Sequence, residues 1–228
     1  MYAPSPEMTA AQVLQVLQAF HHDAPFLFLG AAIAAVGLVA AVFSAIRRKL
    51  DPVWIYFALF AVLYGLRLWI RSNLMGLATQ GSLLYPRFSA AIDFIIPIPA
   101  FFFFKAAGLL RRQAKIAGYV LGIVLGSLAL ATLGFGRQQI STQIANVLVI
   151  AAVIVVVVRA IRSVADNQDL VVIRRGGLIF AAFIFWENIR SVLGLQLPNI
   201  EPIGFVAFLA SLGYVAARQN SAAGSAAQ

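Results

Sequence analysis

Four ionisable side chains stand inside otherwise apolar stretches: Arg67 in LYGLRLWI, Asp93 in AAIDFII, and Glu187 with Arg190 in IFWENIRSV. Two are cations and two are anions. A single charge at the centre of a membrane-spanning helix costs about 2.5–3.5 kcal/mol on insertion scales, and less toward the interface. Such groups therefore pair, line a wet cavity, or mark a path for an ion, a proton or a charged ligand. Glu187 and Arg190 are three positions apart and share one helix face.

Their depths can be compared at about 1.5 Å of rise per residue. Arg67 falls roughly 7 Å below the outer boundary of its run, Asp93 roughly 8 Å, Glu187 roughly 10 Å and Arg190 roughly 6 Å. All four land in the outer third of the membrane, in one neutral layer able to pair across the second, third and sixth runs. Polar residues border it. Arg71 and Asn73 follow the second run; Gln196, Asn199 and Glu201 precede the seventh; Tyr64 shares the face of Arg67; Trp186 and Asn188 flank Glu187. The expected ligand-contacting set of an outward-opening cup is Tyr64, Arg67, Asp93, Glu187, Asn188, Arg190 and Glu201. The competing reading is structural: interhelical ion pairs that fix packing and register, with Arg67 and Arg190 near enough to the interface to snorkel.

The elements that must position these residues are helices. Of 228 residues, 62% are hydrophobic and 11% charged, and the mean hydropathy is +0.91. A soluble domain is about half apolar and about a quarter charged, so the composition is that of a membrane protein. Seven apolar runs are near the roughly 20 residues a spanning helix needs: 26–46, 53–72, 88–110, 116–134, 142–160, 176–194 and 202–217. The expected fold is all-α, a seven-helix transmembrane bundle over residues 26–218. Twelve of the 17 Lys and Arg residues lie at one set of ends, from Arg47, Arg48 and Lys49 through Lys105, Arg111, Arg112, Lys115, Arg159, Arg162, Arg174 and Arg175 to Arg218; Arg137 is among the five on the other. The positive-inside rule then places the N-terminus outside and the C-terminus in the cytoplasm. The +9 net charge is topology signal in this setting, with no nucleic-acid partner implied.

Residues 1–25 contain no Lys or Arg, so they lack the positive n-region of a signal peptide. Thr9 and Gln12 have capping-box form, and Val13, Leu14, Leu17 and Phe20 follow at helical spacing. The expectation is a short amphipathic helix on the outer face, then a solvated loop holding His21, His22 and Asp23. Residues 219–228, small and polar, read as a flexible cytoplasmic tail. Gly118, Gly122 and Gly126, four apart, form a face that lets another helix approach, with a homodimer among its uses. Pro97 and Pro99 withdraw hydrogen bonds from the carbonyls of Asp93 and Ile95, so a kink is expected just inward of the charged layer.

No P-loop, HExxH or GxSxG motif occurs, and there is no Cys. No Lys stands in the seventh run for a retinal Schiff base. The chain is read as having no enzymatic activity, no cofactor and no metal site.

Taken in order, YGLR at 64–67, the Asp93 run with its IPIP, WENIR at 186–190, and EPIGF with LGYVAAR between 201 and 218 resemble the membrane region of bacterial seven-transmembrane receptors with diverse intracellular signalling modules. The resemblance covers residues 25 to 218. It implies an N-out sensor in the bacterial cytoplasmic (inner) membrane that passes a signal through its seventh helix to a phosphatase, histidine-kinase or diguanylate-cyclase output. The chain departs from the pattern at both ends, with no sizeable extracellular ligand domain and no output domain after Arg218. The expected function is a signal-receiving module for a small ligand from the outer side or for membrane state, acting on a cytoplasmic signalling partner. The alternatives are a small transporter or channel using the buried carboxylates, and a structural or assembly membrane protein.

Overall fold

The computed structural model describes residues 10–46, 52–108, 110, 114–136, 138–162, 168–195 and 200–225. They are helical, with no strand among them. The helices are α1 (Ala10–Ile46), α2 (Pro52–Ile70), α3 (Asn73–Ala78), α4 (Leu84–Ile95), α5 (Pro97–Ala106), α6 (Ala114–Phe135), α7 (Gln138–Arg162), α8 (Gln168–Val192) and α9 (Glu201–Ser225). Each apolar run read from the sequence coincides with one of these segments, and the third run is divided between α4 and α5. Among the described residues, four segments are long and apolar enough to cross a membrane: Val13–Ile46, Pro52–Ile70, Leu84–Ala106 and Ile116–Phe135. In α7 and α9 the shorter stretches Thr142–Val158 and Glu201–Val215 are apolar. α8 carries Arg174, Arg175, Glu187 and Arg190 along its length. Apolar side chains such as Phe28, Val39, Ile123, Leu130 and Ile203 face outward. On a protein in water such a surface is an aggregation liability; in lipid it is the ordinary solvent-facing surface.

The chain divides into two compact units, one of residues 1–100 with 126–136, the other of 101–125 with 137–228. In the first, α1 and α2 cross on small residues. A Cβ added to Gly65 would stand 2.4 Å from the Gly30 carbonyl oxygen and 2.9 Å from the Ala34 Cβ; one added to Gly37 would meet Ala61 Cβ and the Ala58 carbonyl at 3.0 Å. Backbones this close need glycine, as at small-residue crossings in membranes. The Trp69 indole N–H, one turn beyond Gly65, donates to the Leu27 carbonyl at 2.8 Å. Arg87 of α4 donates to the carbonyls of Leu133 (3.1 Å) and Gly134 (3.4 Å) at the end of α6. A cation there meets carbonyls the helix leaves without partners and the negative end of its dipole.

In the second unit the core is aromatic. Phe103, Phe180, Phe205 and Phe208 are fully buried. Phe180 stacks on Phe208 at 5.7 Å with 14° between the rings, and Phe103 meets Phe208 edge-on at 5.5 Å. α8 and α9 come together where glycines leave room: Gly176 against Ser211, and Gly204 against Phe183. Asn146 of α7 donates to the Ser191 hydroxyl of α8 at 3.0 Å.

Several expectations change. α1 is one 37-residue helix with Pro25 inside it, so the loop expected at His21–Asp23 is helical. Contacts on both sides of the proline, Asp23 with Asn73 and Leu74 and the Leu27 carbonyl with Trp69, hold the helix through it. At 1.5 Å per residue α1 is about 55 Å long, well beyond the roughly 30 Å hydrocarbon core. α9 continues to Ser225, into the segment read as a flexible tail. α3 was not expected. Within the chain Gly118 packs on Phe101, and Gly126 has nothing within 4 Å. Thr9, Arg47, Arg48, Lys49, Arg111, Arg112, Arg137, Gln196 and Asn199 lie outside the described residues.

Candidate functional site

The C-terminal turn of α2 brings three polar groups to one end: Arg67, the Ile70 carbonyl and Arg71. Arg67 and Arg71 are four apart and share a face, and cations near a helix C-terminus are favoured by its dipole. α4 supplies the complement. The Asp93 carboxylate accepts from Arg67 Nε on Oδ1 at 2.7 Å and from Arg71 Nη2 on Oδ2. Eight residues earlier on α4, the Tyr85 hydroxyl donates to the Ile70 carbonyl, one of those a helix end leaves open. Three polar ties therefore join the end of α2 to α4, and two of them converge on one carboxylate.

Their exposure is graded. The Arg67 side chain is 11% exposed and Asp93 18%, whereas Arg71 is 44% exposed. The Arg67 guanidinium carbon also lies 5.7 Å from the centre of the Tyr64 ring, within range of a cation–π contact, and Tyr64 is fully buried. Of the residues expected to contact a ligand, Tyr64, Arg67 and Asp93 are thus brought together. Arg71, which the sequence reading placed outside the charged layer, is a direct partner of Asp93. Its spacing from Arg67 was the available signal.

Two bonds of the helical ladder are missing immediately C-terminal to Asp93. α4 ends at Ile95 and α5 begins at Pro97, with Ile96 between them. Pro97 has no N–H for the Asp93 carbonyl and Pro99 none for that of Ile95. Ile96 itself is α-helical, its amide donating to the Ile92 carbonyl at 3.1 Å and its carbonyl accepting from the Ala100 amide at 3.5 Å.

A second polar group fixes the turn between α2 and α3. Asp23, 4% exposed, accepts on Oδ2 from the Leu74 amide at 2.9 Å and on Oδ1 from the Asn73 side chain at 2.8 Å. His22 Nδ1 lies 3.1 Å from the same Oδ1. Ser72 caps α3, its hydroxyl accepting from the Met75 amide at 3.2 Å. A carboxylate at the start of a helix satisfies amides with no intrahelical partner. His21 instead hydrogen-bonds the Leu17 carbonyl at 2.9 Å.

In the second unit, Arg190 grips Glu187 with a two-pronged contact, Nε to Oε2 at 3.0 Å and Nη2 to Oε1. Its Nη1 also donates to the Leu195 carbonyl at 3.3 Å. α8 ends at a glycine in the left-handed region, Gly194 with φ 66°, and the Leu195 amide returns to the Arg190 carbonyl at 3.0 Å. This is the usual helix stop on glycine. Glu187 and Glu201 are both buried. Glu201 opens α9, where the positive end of the helix dipole favours an anion, and its charge reaches Arg190. The Asn188 amide turns back to the Ile184 carbonyl of its own helix at 2.8 Å. Trp186 is on the exposed side.

Comparison with protein-family models, with curated proteins and with solved structures finds no match to this chain.

Proposed function

We propose that the chain is the signal-receiving part of a multi-pass membrane receptor, with seven spans, the N-terminus outside, and a cytoplasmic partner that reads the change. One observation carries the reading: Asp93 is held by Arg67 of α2 and by Arg71 just after it, and Pro97 and Pro99 leave the carbonyls of Asp93 and Ile95 without their helical N–H partners. A change in what the arginines hold would act on a segment whose ladder already lacks two bonds. A ligand shifts such an equilibrium only by its differential affinity for the two states, and a charge-assisted contact that one state has and the other lacks supplies that difference. The Lys and Arg bias supports the orientation, and the bacterial inner membrane follows from the family resemblance.

The experiment is a thermal-shift screen of small molecules on the detergent-solubilised chain, repeated on Arg67→Ala and Glu187→Gln. A compound that stabilises the wild type and fails on Arg67→Ala supports the reading. If no compound stabilises the wild type, or both variants respond like it, the reading is lost.

A second reading, a membrane protein whose charges serve only packing, is favoured by the Glu187–Arg190 contact, in which both groups are held on one helix. It expects stability changes in the variants and no ligand response.

A further inference from the structure

We propose that the Arg71 guanidinium, with Arg67 behind it, is the landing point of an oxyanion, a carboxylate or a phosphate group, which takes the place of the Asp93 carboxylate. This rests on the signal-receiving reading and gives it a ligand chemistry.

The argument starts from Asp93. It is itself an oxyanion, with one oxygen on each of two guanidiniums that stand four residues apart on α2. A carboxylate or phosphate from outside presents the same pair of oxygens, and the planar guanidinium fork matches both groups. A guanidinium has five N–H donors. Arg71 uses Nη2 on Asp93, and with 44% of its side chain exposed it is the member of the cluster an incoming anion meets first. Arg67, at 11%, is reached only by displacing Asp93. The site is therefore occupied by an internal competitor that shares its chemistry.

The neighbours suit that exchange. Arg71 follows the last residue of α2 and precedes Ser72 and Asn73, the start of α3, which Asp23 ties to α1. The arginines thus sit on a part of the chain fixed from a second side. α4 bears the carboxylate that must move, and Pro97 and Pro99 withhold two ladder bonds just after it. Displacement would leave the Tyr85 hydroxyl on the Ile70 carbonyl, a pivot one end of α4 can keep while Asp93 swings away.

The same chemistry has two sources, a soluble anion or the phosphate of an anionic lipid at the outer surface. Trp69, two residues before Arg71, reports on both. The full chain carrying Trp54→Phe and Trp186→Phe is titrated with inorganic phosphate and with succinate in phosphatidylcholine nanodiscs, and compared with nanodiscs containing phosphatidylglycerol. Saturable Trp69 quenching by either soluble probe, or by the anionic lipid alone, is expected and identifies the source. Removing the competitor with Asp93→Asn should lower the apparent Kd at least tenfold, while Arg71→Gln should abolish saturation and Arg71→Lys weaken it. Arg71 is half exposed, so its variants report even where Asp93→Asn fails to fold. Arg71→Gln binding as tightly as the parent overturns the proposal. So does a folded Asp93→Asn that binds no more tightly. Hydrogen exchange of residues 93–100 judges the receptor reading separately: anion binding that leaves this segment unchanged defeats signal reception and keeps the site, whereas the site fails on the titration alone.

Discussion

Arg67 Nε and Asp93 Oδ1 stand 2.7 Å apart across 26 positions of sequence, the C-terminal turn of one apolar helix against the middle of another. Both side chains are mostly buried, so removing one partner strands a charge. Breaking a buried pair costs about 3–5 kcal/mol, and an exposed one about 0–1 kcal/mol. Asp93→Asn is expected to destabilise the detergent-solubilised chain by about 3 kcal/mol, since both arginines lose their anion. Arg71→Gln should cost less than about 1 kcal/mol. Denaturant unfolding followed by Trp fluorescence checks the order. Equal losses for the two variants would contradict the graded burial.

The α1–α2 crossing makes a sharper demand. With a Cβ on Gly65 at 2.4 Å from the Gly30 carbonyl oxygen, the obstacle is backbone, and no rotamer relieves it. Gly65→Ala should cost about 1–3 kcal/mol, and Gly65→Val more. Gly126, with open space around it, is the control. Gly126→Ala removes a helix-interior glycine and should be neutral or stabilising by about 0.5–1 kcal/mol. Melting temperatures of the three variants in one detergent settle the comparison.

These two contacts differ in how far the sequence announced them. Depth arithmetic placed Arg67 and Asp93 at matching heights because charge in an apolar run is rare and each residue advances the helix by a fixed rise. The double proline marked the two missing ladder bonds after Asp93 for a similar reason: an imide nitrogen has no proton, whatever the fold. The glycine crossing was harder. Gly30, Ala34 and Gly37 lie on one helix and Ala58, Ala61 and Gly65 on another, and small residues on one helix do not say which helix faces them. The more regular Gly118, Gly122 and Gly126 spacing drew attention instead, although Gly126 meets nothing. Asp23 was read as part of a solvated loop because the polar His21, His22 and Asp23 follow the amphipathic stretch that ends at Phe20. Its partners, the Asn73 side chain and the Leu74 amide, are about 50 positions away, beyond any local signal.

Asp23 therefore yields its own prediction. It is buried and holds the start of α3, a helix too short to be stable alone. Hydrogen bonds to a charged group contribute about 1.5–3 kcal/mol. Asp23→Ala should raise amide exchange across 73–78 at least tenfold and leave the middle of α2 protected. Uniform loss of protection in α1 and α2 would show that Asp23 serves the whole crossing, not α3 alone.

The Glu187–Arg190 contact separates the structural reading from the receptor reading in the second unit. Both groups sit on α8, three residues apart, and Glu187 is buried. Either single change, Glu187→Gln or Arg190→Gln, leaves its partner without its counter-charge and should destabilise by about 3 kcal/mol. Replacing both with apolar groups removes two desolvation penalties along with one attraction, and such exchanges are often neutral or stabilising. If the pair serves packing alone, Glu187→Leu with Arg190→Leu should melt at or above the wild-type temperature, with the two single changes compensating each other. Arg190 also donates to the Leu195 carbonyl, so a double variant less stable than either single one would mean that this neighbour depends on Arg190, and that its charge acts beyond Glu187. Melting curves of the two single variants and the double variant in one detergent distinguish the cases.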